Sequence, residues 1–317
     1  MFNSDWRTRP VAGIGIVGLD HVAVTDRWER DTKSTANHYF EQVGGPVPVA
    51  LMAMSRLGMA EPPCFRGIVG RDEAGKTVLR DLKNAGIEVS SIRRVSRGVT
   101  GRSLVVLNRG DGTRSLTNFP GEAMLDTTQN PFLAGAESGL LHLDGRELPL
   151  ALRVAEKVRG GGGKVSLDLG TMRPGRAKLL PYCDIVIASK IGGAGAFPDD
   201  ADDPIEQTKR FLDGGATVAG VTLGAGGVVI GCRDENGGVP VHLPAFPVEN
   251  VVDTCGAGDL FHGAFLWAYR EGKSVIESAT FAQAAVALRI QHYGNVAGQP
   301  TREQVEAFLG EFHSSNP

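Results

Sequence analysis

The chain has 317 residues, 42% of them hydrophobic, enough to bury one large core with or without a small insertion. A formal net charge of −3 gives no electrostatic case for nucleic acid or an anionic membrane as partner. No apolar run approaches the ~18 residues of a membrane span. Residues 1–10 are polar and read as an N-terminal extension rather than a secretory signal. Cys64, Cys183, Cys232 and Cys255 are far apart, with no Cys-x-x-Cys or Cys/His pairing at zinc spacing. They read as reduced thiols, which places the expected location in the cytoplasm.

In chain order, residues 11–24 form an apolar run broken by Gly13, Gly15, Gly18 and Asp20, and read as a first strand. Residues 47–57 suit a buried helix stopped by Gly58; 68–69 make a short strand, and 73–85 a polar-faced helix closed by Gly86. Two β-rich runs, 103–107 and 114–117, flank Arg109, Gly110, Asp111 and Gly112, a hairpin signal. Strands are then expected at 140–143, 165–169, 185–188 and 218–223, with helices at 150–158, 205–212 and 301–312. This alternation predicts an α/β fold, an open and mostly parallel sheet with helices on both faces. The β-rich segments near 20–43 and 98–119 fall outside that scheme as extra strands of limited length.

Two glycine clusters mislead. Gly13-Ile14-Gly15-Ile16-Val17-Gly18 spells the dinucleotide fingerprint, yet it lies inside a strand-like run with no helix after it. Gly160 to Gly163 and Lys164 imitate a phosphate loop, but Val165 stands where Ser or Thr is needed.

The most informative segment is Asp253-Thr254-Cys255-Gly256-Ala257-Gly258-Asp259. It follows a β-branched run (Val248, Val251, Val252) and opens an apolar stretch at helical spacing, and so reads as strand, tight turn, helix start. Small residues let the backbone approach an anion, and first-turn N–H groups lack intrahelical partners, so the turn is an anion hole with a favourable dipole behind it. An acid there would repel an anion. Asp259 makes sense as the acceptor of a proton from a hydroxyl attacking a phosphoryl group. The plainer alternative is an Asp capping an ordinary helix.

This heptapeptide resembles the C-terminal signature of the PfkB carbohydrate kinases, the ribokinase-like sugar kinases, and the resemblance runs over residues 11–313. It implies a ribokinase-like fold in which the extra strands make a small lid over the sugar site, often also the contact of a homodimer. It implies that Gly256, Ala257 and Gly258 hold the transferring phosphate through their amides, with Asp259 as catalytic base. Asp253 and the Cys255 carbonyl correspond to a monovalent-cation site, taking K+, in some members. A helix N-terminus at Cys255 could also lower its thiol pKa.

On the sugar side, Asp20 has the position of the family's substrate-binding Asp, and Gly44-Gly45 matches the glycine pair beneath the sugar. The chain departs from the family where an Asn is expected, at Val49, and again where Asn-x-x-Glu is expected, at Ser189 and Gly192. Both departures resemble the branch of ketohexokinases and bacterial sulfofructose kinases. Lys33, Asn118 and Arg146 fit that branch as a clamp for an anionic substituent, or are a lid residue, a turn residue and a surface Arg. On the nucleotide side, Thr222, Gly224 and Gly227 resemble the family's Thr-x-Gly-x-x-Gly turn, Ser189 follows a strand, and Gln283 lies on a small-residue helix suited to flank adenine.

The expected activity is therefore ATP- and Mg2+-dependent phosphoryl transfer to a primary hydroxyl of a small sugar, first a ketose such as fructose or a 6-substituted form. Ribokinase-type or nucleoside-kinase activity is the alternative; a nucleoside would want an aromatic wall, for which Tyr39, Phe40 and Phe119 are the candidates. A sugar- or nucleotide-sensing pseudokinase is the reading from another class. The expected partner is a small-molecule sugar.

Overall fold

The computed structural model describes residues 5–110, 113–121 and 137–315; Asp111 and Gly112 of the expected hairpin turn lie outside them. The chain begins with β1 (Val11–Ile14), β2 (Gly18–Thr25), β3 (Ala36–Gly44), α1 (Pro46–Arg56), β4 (Cys64–Arg66), β5 (Ile68–Gly70) and α2 (Glu73–Asn84). It continues through β6 (Arg93–Val95), β7 (Gly101–Asn108), β8 (Arg114–Phe119), β9 (Leu140–Leu143), α3 (Leu148–Gly160) and β10 (Lys164–Leu169). Then come β11 (Ile185–Ser189), α4 (Lys190–Ala196), α5 (Pro204–Asp213), β12 (Val218–Thr222), β13 (Val228–Cys232) and β14 (Val241–Leu243). The last elements are α6 (Ala257–Arg270), α7 (Val275–Arg289) and α8 (Arg302–Ser315).

Eight strands form the main sheet in the order β14-β13-β12-β11-β10-β9-β1-β4. From β4 to β12 every pairing is parallel, and β13 and β14 add an antiparallel edge. Side chains alternate between the two faces. Ile185 and Ile187 of β11 join the core under α1, α6 and α7, while Val186 and Ala188 join the core under α3 and α5. No helix among the described residues is long and apolar enough to cross a membrane.

A second sheet, β3-β2-β7-β8, carries the segments that fell outside the alternating pattern. Here the structure corrects the sequence: residues 11–24 are two strands in two sheets, not one. Asp144 explains the break. Its buried carboxylate accepts the Ile16 N–H at 2.8 Å, and a Cβ on Gly15 would collide with it, so the chain leaves the main sheet there. Asp20 accordingly lies in β2, not at the end of the first strand. The expected strand before the Asp253 turn is also absent: Val252 and Asp253 donate instead to the carbonyl of Ile290, at 2.8 and 3.1 Å. β4 was missed because three residues carry too little pattern. In the expected N-terminal extension, Trp6 is buried against Tyr269.

Helix α6, which begins at the candidate site, is held against α1 by a close approach at Gly263, where an added Cβ would strike the Ala50 carbonyl. Gly263→Val should cost about 1–3 kcal/mol from overpacking, read as a lowered thermal midpoint.

Candidate active site

At the carboxyl edge of the main sheet lies a cavity of about 610 Å3. Thr222, Gly224, Gly227, Ala257, Gly258 and Gln283, all singled out in the sequence, line it together. The buried Oε1 of Gln283 has no protein partner, leaving an acceptor for a ligand donor. Ser189 does not line this cavity. Its hydroxyl caps α4, accepting from Gly192 at 3.0 Å and donating to the Gly170 carbonyl at 2.7 Å.

Gly256, at φ +74°, turns the chain into α6 in a conformation that favours glycine. The first i→i−4 bond of the helix runs from Leu260 to Gly256 at 2.9 Å, so the amides of Gly258 and Asp259 precede it and have no acceptor within the helix. A Cβ on Gly258 would meet nothing within 4 Å, in keeping with open space beside that backbone. The Asp259 carboxyl is pushed up to about 7 by burial and then by the nearby charges of Asp168 and Asp20, against opposing pulls from Arg114 and Arg289.

The sugar-side residues form a row across the second sheet. Gln42 of β3, Asp20 of β2, Ser103 of β7 and Asn118 of β8 are directly opposite one another in register. Ser103 donates to Asn118 at 2.8 Å, and Asp20 is buried, with a raised pKa caused by that burial. A Cβ on Gly44 would overlap the Asp20 carboxylate, so the Gly44-Gly45 pair is what lets this acid fit. Lys33 is exposed in the segment between β2 and β3, and no described contact ties it to Asn118 or Arg146. Arg146 instead belongs to a cluster at the end of β9. Arg176 is buried there, with its pKa lowered by burial and by Arg146 and Arg173, against the attraction of Asp144 and Asp168. Of the proposed aromatic wall, Phe40 packs with His38 and Tyr293 at 5.6 and 6.3 Å.

Several residues escaped the sequence. Arg114 of β8 donates to the Thr254 hydroxyl at 2.6 Å and lines the cavity, bringing a cation from the second sheet to the anion loop. Its signal, an Arg after a glycine turn, is indistinguishable from a solvated strand residue. His262, three residues after Asp259 and so on the same helix face, lies 3.5 Å from Asp168 and stacks near His142. Burial lowers the pKa of both imidazoles, His142 strongly. That spacing was visible in the sequence. The helix start does not lower the Cys255 thiol pKa: burial, then Asp253 and Asp20, push it up to about 12. Asp253 is also differently engaged, in a buried ion pair with Arg289 at 3.3 Å. With its carboxylate and carbonyl both taken by Arg289, it does not fit a bound monovalent cation. Among the described residues no group of three His, Cys, Asp or Glu side chains could hold a metal ion.

A cavity at the carboxyl edge of a parallel sheet, ending on a helix-start anion loop with an acid of raised pKa, defines a phosphotransferase of α/β architecture. Residues 9–302 match the pfkB family carbohydrate kinase model, and the chain belongs to that family, whose enzymes phosphorylate sugar hydroxyls. Ribokinases predominate among its curated relatives. It is 26% identical to the ribokinase of Haemophilus influenzae over 93% of this chain and 97% of that one. It is 24% identical to the ketohexokinase of Mus musculus over 84% and 91% of the two chains. The structure of Arabidopsis thaliana ribokinase complexed with ribose and ATP superimposes with a TM-score of 0.77, at 26% identity, covering 95% of this chain and 98% of that one.

The raised Asp259 pKa carries a stability cost. A carboxyl whose folded pKa exceeds its unfolded value favours folding below about pH 4, and that advantage is lost as pH rises through about 7. Asp259→Asn should therefore be more stable than the parent above pH 7, by ~2–4 kcal/mol relative to their difference near pH 4, in denaturant titrations at both pH values. Arg114→Met should lower kcat/KM for the nucleotide roughly a hundredfold in steady-state assays, the scale for losing one preorganised charge donor.

Proposed function

We propose that this chain is an ATP-dependent kinase that moves the γ-phosphoryl group onto a primary hydroxyl of a small sugar, with Asp259 as general base. The observation that carries this reading is the placement of Asp259. It stands in the first turn of α6, directly after Ala257 and Gly258 of the cavity wall, with Asp20 close enough to raise its pKa. The sugar oxygen attacks the γ-phosphorus while its proton passes to Asp259. The bond to the β–γ bridging oxygen breaks, and ADP departs. The Gly258 amide and the Arg114 guanidinium meet charge on the transferring oxygens. Magnesium would enter with ATP, largely held by water and phosphate, and supply charge neutralisation there. The second sheet serves as a lid that excludes water, and Asp20, with Asn118 in the same row, orients the acceptor.

A ketose of the fructose type is the substrate we favour, including one with an anionic substituent at carbon 6. Two features support it. Val49 is buried and apolar where an amide would bind a sugar hydroxyl. Arg146 stands with Arg173 and Arg176 beside Asp144. Ribose is the second reading, favoured by the predominance of ribokinases among the relatives.

ADP release over a panel of fructose, sulfofructose, fructose 6-phosphate and ribose tests the assignment. Turnover with a ketose well above that with ribose is expected; ribose as the best substrate would replace the first reading with the second. Asp259→Asn should cut kcat by ~10²–10⁴-fold on whichever sugar is used, and unchanged turnover would remove the general-base role.

A further inference from the structure

Arg289, the last residue of α7, is 1% exposed, among the most completely buried side chains of the molecule. A guanidinium at such depth is tolerated only when its charge and its donors are met. It donates one amine to the Asp253 carbonyl and the other toward the Asp253 carboxylate at 3.3 Å and the Asn295 side-chain oxygen at 3.2 Å. The Asp253 carboxylate also accepts from two backbone donors, Cys255 at 2.8 Å and Gly294 at 3.1 Å. Asn295 packs against Gly256, where an added Cβ would overlap its side-chain oxygen. One buried positive charge thus ties together both ends of the segment that shapes the anion hole, Asp253 and the residue abutting Gly256.

The same network reaches the other substrate. The Asn295 N–H donates to Gln42 at 2.6 Å, and its side-chain amide to the Val43 carbonyl at 3.2 Å. Gln42 is the cross-strand neighbour of Asp20. A hard monovalent cation would need several oxygens at this point, and the carboxylate and carbonyl of Asp253 are already committed. It would also sit against a buried guanidinium, a repulsion that a low-dielectric interior magnifies.

We propose that Arg289 is a built-in cation that does here the positioning work of a bound monovalent ion, so that anion-loop geometry and nucleotide binding in this protein are independent of K+. The consequence for phosphoryl transfer rests on the kinase reading above; the claim about the loop does not. Arg289 is a positioning residue, acting through Asp253 and Asn295 on the backbone that receives phosphate.

The test compares the full chain in potassium, sodium and tetramethylammonium chloride at equal ionic strength. It measures the thermal midpoint and, by calorimetry, the affinity for a non-hydrolysable ATP analogue. Anything that binds the native state raises its midpoint, so an ion site would show itself without any turnover. The parent protein should give the same midpoint in all three salts and analogue affinities within about twofold. A potassium-specific rise in midpoint, or a tenfold or greater gain in affinity, would overturn the proposal. Arg289→Met, which leaves Asp253 buried and unpaired, should lose about tenfold or more in analogue affinity in tetramethylammonium and regain most of it in potassium. An equal loss in every salt would reduce Arg289 to a packing residue and also overturn the proposal. Should that variant fail to fold, the salt series on the parent still decides. None of these readouts uses a sugar or a rate, so a wrong assignment of the reaction would leave them unaffected.

Discussion

The site depends on gathering negative charge at a point where more negative charge must bind. Asp259 has Asp168 and Asp20 for neighbours, and burial, then their charges, push its carboxyl up to about 7. Such a cluster would expel a nucleotide's phosphates if nothing opposed it. Three things do: the unpaired amides at the start of α6, the Arg114 guanidinium from β8, and the buried Arg289 charge behind the loop. The balance leaves a carboxyl raised well above the usual carboxylate range, the direction that suits a group exchanging protons near neutral pH.

The fold supplies this balance from separate pieces. Strand β12 of the main sheet ends at Thr222, which lines the cavity together with Gly224 and Gly227 after it. The second sheet supplies a row of polar residues in register, Gln42, Asp20, Ser103 and Asn118, and then Arg114, four residues before Asn118 on the same edge strand. The two sheets are coupled through buried hydrogen bonds rather than through apolar packing alone. Asn295 is the join: it bonds Gln42 and Val43 on one side and Arg289 on the other. The second sheet is therefore tied to the segment from Asp253 to Gly256.

Much of this was legible before any coordinates. The central strands of the main sheet, β9 to β12, announced themselves because fully buried parallel strands are short apolar runs between helices. The Asp253-to-Asp259 segment was legible because small residues, an acid and an apolar helix start seldom coincide without a ligand. The misreadings have physical causes as well. The run from Val11 to Val24 looks continuous in hydrophobicity, and only a carboxylate 128 residues away, Asp144 on Ile16, divides it. The Val248 to Val252 run has strand propensity, but Val252 bonds the residue after α7 instead of a strand. Cys255 sits next to a helix start, yet desolvation outweighs the dipole there. Arg114, Asp168 and Arg289 carry no local pattern at all; each acquires its role only when distant segments meet.

The central claim is that the Asp259 carboxyl faces the acceptor alcohol across from the nucleotide's terminal phosphorus. The most direct measurement is a crystal structure of the chain with a non-hydrolysable ATP analogue and its best sugar bound together. The primary hydroxyl should lie within about 2.6–3.2 Å of an Asp259 oxygen, in line with the γ-phosphorus, with Asp20 holding another hydroxyl. A sugar seated out of reach of Asp259, or a nucleotide whose terminal phosphate lies away from the Gly256 loop, would contradict it.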